Sequence, residues 1–449
     1  MTTTLGKLIS KSVPRYTSYP TAPHFSPNVT GHVYTSWLKE LDPQKPLSLY
    51  LHVPFCQKMC WYCGCHTKIV ARYDPVRKYA MALRAELKML ADALPGKFKV
   101  SHIHWGGGTP TMLSAEDFLE TMDLIRDLFL ITEGAELAVE IDPRTVDKQK
   151  TEALAASGIN RASFGIQDFN PKVQAAINRI QSYDLTKEVT ENFRNAGIEN
   201  INFDLMYGLP QQTVDDVLNT VDLSHRLRPA RIALFGYAHV PWMKNHMKMI
   251  RDEELPDSDA RLEQTVAASD RLLELGYHQI GLDHFAKTDD TMAIALTEGT
   301  LNRNFQGYTT DNADVLLGVG ASSIGRLPQG YLQNVVAMKT YEDEVLKGHF
   351  PIAKGVRVSD DDRLRGYVIE RLMCNLEVDL DAAVRKFGVD ISYFSDEINN
   401  LRHFANEGII SINGSQIIIQ PAGRLLVRAV CAIFDIYFNQ GLARHSKAV

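Results

Sequence analysis

Apolar positions along this chain switch repeatedly between two periods. Short runs rich in β-branched and aromatic residues read as strands at Leu47–Val53, Val100–Trp105, Leu137–Ile141, Arg161–Ile166, Asn200–Met206 and Arg231–Tyr237. Amphipathic stretches with helical spacing separate them, at Pro75–Leu94, Ala115–Phe129, Asp184–Ala196 and Val214–Leu227. Ser114 with Asp117 and Thr213 with Asp216 are capping signals, while Gly158 and Gly197 mark helix ends. Six βα units in succession predict a parallel sheet, expected here as a partial, open TIM-type barrel.

In such folds ligands gather at the carboxyl ends of the strands. The polar residues of this chain fall at those ends. The first strand runs into a cysteine-rich loop, and the second ends in Gly106-Gly107-Gly108-Thr109. The third ends in Glu140-Ile141-Asp142 and the fourth in Gln167-Asp168. The fifth carries Asp204, and the sixth ends at Tyr237-Ala238-His239. That rim is the expected active site.

From about Val358 the pattern changes. Asp361–Asn375, Leu380–Phe387 and Ser392–Asn406 read as helices, followed by apolar strands about an Asn413-Gly414 hairpin turn. Three helices and a hairpin predict a winged-helix-like module. The expected division is an N-terminal arm over the cleft (1–45), a catalytic domain (46–357) and this mostly helical C-terminal domain (358–449).

Composition narrows the function. With 449 residues, 45% apolar and 23% charged, the chain has the profile of a globular protein with one large core. A net charge of −6 and the absence of a basic stripe argue against nucleic acid. No run approaches about 18 apolar residues, and Met1 to Pro14 lacks an export signal's apolar stretch. A cytoplasmic monomer is the default expectation. Cys374 and Cys431 stand alone in apolar surroundings and read as buried small hydrophobes.

The other four of the six cysteines, Cys56, Cys60, Cys63 and Cys65, crowd into one loop. Without an export signal, such clustering points to metal binding rather than disulfides. Structural zinc prefers paired C-x2-C ligands, and ferredoxin clusters need four thiolates at other spacings. Three thiolates at C-x3-C-x2-C on a four-iron cluster leave one iron open for an external ligand. Other rim residues have plainer readings. The triple glycine reads equally as a tight turn, Asp142 as a helix cap, and Arg179 as a solvated helix residue. His102 and His104 read as core or supporting groups. Asp204, costly to bury unpaired, calls for a ligand hydroxyl or a cation.

Together, the C-x3-C-x2-C loop, the following Gly-Gly-Gly-Thr-Pro and the strand-end acid resemble radical S-adenosylmethionine (SAM) enzymes. Within them the chain resembles the oxygen-independent coproporphyrinogen III oxidases (dehydrogenases). The likeness rests on Pro14–Thr21, Tyr50–Phe55, Cys63-Gly64-Cys65, Phe164–Asn170, Asn178-Arg179, Asp204–Pro210, Asp283-His284-Phe285 and Asn304–Thr310. It implies a 4Fe–4S cluster on Cys56, Cys60 and Cys63, with one SAM on the open iron and a second SAM nearby. Tyr50, Gly107, Glu140 and Ile324 match positions for the first SAM. Tyr62, Gly108, Thr109, Gln167, Arg179, Asp204 and Ala238 match those for the second. Cys65 matches a family cysteine that does not ligate the cluster; its place in the chemistry is left open.

The implied reaction is hydrogen abstraction by a 5′-deoxyadenosyl radical from the β-carbon of a propionate. Carbon dioxide then leaves, one electron passes to an acceptor, and a vinyl group remains. Two such events convert coproporphyrinogen III to protoporphyrinogen IX. The implied partners are a flavodoxin- or ferredoxin-like electron donor and an electron acceptor. Arg15 and Arg303 are the expected holders of substrate carboxylates. The alternatives are a related haem-binding chaperone, a haem-utilising methyltransferase or ring-opening protein, and a zinc-stapled scaffold. Cys63-Gly64-Cys65 and the N-terminal arm favour the oxidase.

Overall fold

The computed structural model describes residues 13–438. The outer parts of the two terminal segments, including most of the stretch examined for an export signal, lie outside the described residues. All six expected strands form, numbered here with the six others of the same sheet. They are β1 (Leu47–Val53), β2 (Lys99–Gly107), β3 (Leu130–Ile141), β4 (Arg161–Gln167), β5 (Asn200–Tyr207) and β6 (Arg231–Gly236). The remaining six are β7 (His278–Ile280), β8 (His284–Ala286), β9 (Val315–Val319), β10 (Ile324–Leu327), β11 (Gly330–Asn334) and β12 (Ile352–Arg357). Their order is β12-β11-β10-β9-β1-β2-β3-β4-β5-β6-β8-β7.

The first six strands pair in parallel, and β9 adds a seventh parallel strand against β1. Antiparallel strands extend both ends, and the two edges do not pair, so the barrel stays open. The β9 run is buried throughout, as a strand covered on both faces must be.

Helices form where the capping signals placed them. Ser114 caps α3 (Ala115–Leu128) and Thr213 closes a full capping box with Asp216 on α6 (Val214–Arg226); α1, α2, α4 and α5 are Gly31–Lys39, Asp74–Ala93, Lys148–Ala156 and Tyr183–Asn195. One apolar core runs under the sheet and these helices, and includes Tyr34, Trp37 and Leu38 of α1. A second core holds Leu364 to Phe434 together with Val13, Tyr16 and Tyr19 from the other end of the chain. The C-terminal module has the expected helices and hairpin, plus a third strand at Glu377–Asp379. Asn413 pairs with Gln416, so the turn's central residues are Gly414-Ser415 rather than Asn413-Gly414. Glycine takes the first central position because φ there is +64°.

Candidate active site

The cysteine loop is pinned to the rim by its backbone. The Gly108 N–H bonds the Val53 carbonyl, Val70 N–H bonds the Cys56 carbonyl, and Trp61 N–H bonds that of Ile177. His246 Nε2 lies 2.7 Å from the Cys63 carbonyl and Lys244 Nζ donates to that of Cys65 at 3.0 Å. The loop lines a cavity of about 490 Å³, a usual size for a small-molecule site. Cys56, Cys60, Cys63 and Cys65 all line it, with Tyr62, Gly107, Gly108, Thr109, Glu140, Gln167, Arg179, Asp204 and Ala238. The cavity brings together every residue expected around the cofactors except Tyr50 and Ile324. Those two lie outside its lining: the Tyr50 ring stacks on His104, and Ile324 packs backbone to backbone over Gly318, the β9 partner of Tyr50.

The three glycines are more than a turn. A Cβ on Gly106 would meet Glu140 Oε1 at 2.7 Å, and one on Gly108 would meet the Phe55 carbonyl oxygen at 2.6 Å. Gly107 sits at φ +113°, with the His52 ring 2.7 Å from where its Cβ would be. Their bareness lets strand β2, the cysteine loop and Glu140 converge. Glu140 accepts the Gly107 N–H at 3.1 Å and lies 3.2 Å from His104 Nε2.

Cys60 is set among guanidiniums. Arg144 Nη2 is 3.3 Å from its sulfur and Arg179 Nη1 is 3.6 Å away. Both arginines also grip Asp142, Arg144 in a two-point bond at 2.9 and 2.7 Å, Arg179 at 3.4 Å. Asp142 is therefore not a helix cap; Asp147 caps α4. Burial alone would raise the Asp142 pKa, but the two arginines outweigh it and hold it low. Arg179, whose plainer reading was a solvated helix residue, is only 5% exposed.

Burial pushes the Cys56 thiol up to about 11, whereas Cys63 is drawn down by the neighbouring Cys65 thiol. Burial also raises Asp204 to about 7, helped by the negative charge of Glu140. Below the bowl, a second cavity of about 310 Å³ is lined by Cys65, Glu140, Asp204 and the charged groups of the barrel interior. There His102 Nδ1 lies 3.2 Å from Asp311, so this histidine supports the interior.

The residues present fit the expected cofactors. Gln167 Oε1 and Arg179 Nε are buried in the bowl wall without hydrogen-bond partners, which a native site tolerates when a ligand supplies them. Gln167 also holds φ at +70°, a strained conformation that carries its side chain to the bowl. Among the described residues no three Cys, His, Asp or Glu side chains converge on a single-ion site of the kind structural zinc needs.

A larger cavity, about 580 Å³, adjoins the bowl, and the two share Arg15, Phe235–Ala238 and Val240. Both expected arginines, Arg15 and Arg303, line it, but so do Arg261 and Arg428, which sequence reading missed. Nothing local marks them: Arg261 lies on α7 (Ser258–Glu274) and Arg428 at the start of the helix Val427–Cys431. Arg303 Nε and Nη1 are buried without hydrogen-bond partners, and its guanidinium stands 4.4 Å over the Tyr308 ring.

Among the described residues no helix is long and apolar enough to cross a membrane. The chain matches the Radical SAM superfamily over residues 50–224 and the HemN C-terminal domain over residues 358–426. It is 50% identical over 437 residues to an oxygen-independent coproporphyrinogen III oxidase of Bradyrhizobium diazoefficiens, with 97% of each chain covered. The enzyme of the same name from Salmonella typhimurium is 37% identical, with 96% of this chain and 94% of that one covered. The solved structure of coproporphyrinogen III oxidase from Escherichia coli, described as a radical SAM enzyme, superimposes with a TM-score of 0.91. The match has 35% identity and covers 95% of this chain and 100% of that one. With the thiolate bowl and open barrel already in place, these likenesses show that the chain belongs to the oxygen-independent coproporphyrinogen III oxidase family of radical SAM proteins.

Proposed function

We propose that this protein decarboxylates two propionates of coproporphyrinogen III to vinyl groups, yielding protoporphyrinogen IX without oxygen. The observation that carries the reading is the junction of two cavities. One is a bowl of four cysteines and glycine-cradled backbone; the other is lined by four arginines. A tetra-anionic substrate in the second would extend a propionate into the first.

A 4Fe–4S cluster on Cys56, Cys60 and Cys63, with SAM on its open iron, supplies the hydrogen-abstracting radical when bound. The chain's residues do the rest. Glu140, oriented by the Gly107 N–H and His104, would hold the cationic end of the first SAM, with Tyr50 and Ile324 behind it. Gln167, Arg179 and Asp204, with Tyr62, Gly108, Thr109 and Ala238, would hold the second. Arg144 and Arg179 place positive charge beside the Cys60 sulfur, where it would offset negative charge on a bound cluster. Arg15, Arg261, Arg303 and Arg428 would grip propionates, for which the planar two-point guanidinium is suited. Each propionate loses one hydrogen atom, one carbon dioxide and one electron. That balance calls for an electron acceptor, and cluster reduction for a flavodoxin- or ferredoxin-like donor.

The test is anaerobic reconstitution followed by incubation with reductant, SAM and coproporphyrinogen III. Carbon dioxide and protoporphyrinogen should appear. Changing Cys56, Cys60 or Cys63 to Ser should remove the iron and SAM cleavage, while Cys65→Ser keeps the cluster. A full cluster in Cys63→Ser, or no carbon dioxide from the intact enzyme, would refute the reading.

A further inference from the structure

The arginine-lined cavity contains one group of the opposite sign. Among the described residues lining it, Asp283 is the sole carboxylate, set amid Arg15, Arg261, Arg303 and Arg428. An anion in a pocket built for an anionic ligand weakens the pocket's attraction for that ligand, so it needs a reason.

Offsetting the charge of Arg303 and Arg428 is part of the reason, but it does not require a carboxylate left open to the cavity. Arg261 leans on the Tyr207 ring and reaches the Gly208 carbonyl, and Arg303 lies over Tyr308 with two nitrogens unpartnered. The partner of Asp283 Oδ1 is instead His284 Nδ1, at 2.8 Å. The carboxylate is also held rigidly. The Asp283 carbonyl accepts the Leu234 N–H, and His284 begins β8, paired against β6. Its side chain keeps 21% of its surface open. Burial alone would raise its pKa, but His284, Arg303 and Arg428 overcome this and hold it near about 2, so it is ionised at any physiological pH.

The cavity lining combines four cations with one fixed anion, and two of the cations, Arg303 and Arg428, act on its charge. A porphyrinogen has the complementary pattern, with acidic arms at its periphery and four pyrrole N–H donors at its centre. Its saturated bridges let the pyrroles tip those N–H groups toward one face. The oxidised, flat porphyrin offers only two N–H donors, and its two imine nitrogens repel a carboxylate.

We propose that Asp283 recognises the reduced tetrapyrrole, its carboxylate accepting pyrrole N–H groups while the surrounding arginines take the propionates. The inference rests on the substrate class proposed above. Asp283 is thereby a specificity residue that distinguishes porphyrinogen from porphyrin, and it sets the ring's position relative to the thiolate bowl.

The experiment measures equilibrium binding of coproporphyrinogen III and of oxidised coproporphyrin III to the anaerobic, reconstituted full chain and to Asp283→Asn. The intact enzyme should prefer the porphyrinogen by at least about tenfold, the change expected for hydrogen bonds to a charged group. In Asp283→Asn the porphyrinogen should lose about that factor while the porphyrin changes less than about threefold; iron content should be unchanged. Equal affinities in the intact enzyme overturn the inference whether or not the variant folds. So does an unaltered preference in a folded Asp283→Asn, or a loss equal for both ligands. If the intact enzyme binds the porphyrinogen but releases no carbon dioxide, the proposed reaction fails while Asp283's role is still decided by the binding ratio. Binding of neither ligand refutes both.

Discussion

Gly106 and Gly108 stand two residues apart, yet alanine at each should produce opposite failures. At Gly106 the three atoms nearest the added methyl would all belong to the Glu140 carboxyl group, at 2.7 to 3.1 Å. Restoring an ordinary contact of 3.4 Å shifts that carboxylate by about 0.7 Å, which a flexible side chain can do. The fold and the cysteine loop should survive. The aim of Glu140 should not: its 3.1 Å bond to the Gly107 N–H has no slack, and a hydrogen bond to a charged group contributes about 1.5–3 kcal/mol. At 1.4 kcal/mol per decade, SAM binding should weaken roughly 10- to 150-fold.

At Gly108 the methyl would meet backbone, the Phe55 carbonyl oxygen at 2.6 Å and its nitrogen at 2.8 Å. Backbone cannot swing aside, so the strand carrying Cys56 must move. Gly108→Ala should therefore lose cluster iron itself. Iron analysis and equilibrium SAM binding on anaerobically reconstituted proteins separate the two. Full SAM affinity in Gly106→Ala, or a full cluster in Gly108→Ala, would refute the cradle argument.

Further outcomes follow from two carboxylates. Asp204 has its folded pKa raised to about 7 from 3.8, so its stability contribution is complete below about pH 4 and is lost as pH rises through 7. A ligand that requires the carboxylate should bind about tenfold tighter per pH unit up to 7 and then level off, a slope absent in Asp204→Asn; SAM titrations between pH 5.5 and 8 check this. Glu86, 1% exposed, accepts from Gly320 N–H and Asn334 Nδ2 at 2.7 Å and Tyr341 O–H at 2.6 Å. Glu86→Ala strands three buried donors and should cost at least about 3 kcal/mol in denaturant unfolding. A loss under about 1 kcal/mol would contradict that account.

The catalytic rim was legible because a parallel βα fold places each strand's last residues on one face, so six strand ends read in sequence become neighbours in space. What escaped had no periodic signature. Strand β9 follows a short helix and a two-stranded hairpin and pairs with β1 from far along the chain, while β7 and β8 are three residues each, too short to show a period. Arg261 and Arg428 carry no local mark because only tertiary packing brings them to the cavity. Asp142 resembled a cap since the two-point grip of Arg144 and the approach of Arg179 are invisible in one dimension. Cys65 was visible but ambiguous, and geometry places it at the junction between the bowl and the barrel's charged interior.

The arm bearing Arg15 is sewn to the last helices: the Tyr16 hydroxyl bonds Asp435 at 3.1 Å, across 419 positions of chain. During translation the barrel strands can emerge and pair while the four-arginine cavity still lacks a wall. Completion of that cavity thus awaits nearly the whole polypeptide, and a nascent chain halted before Val427 would have its cysteine loop but neither Arg428 nor the Asp435 that Tyr16 bonds.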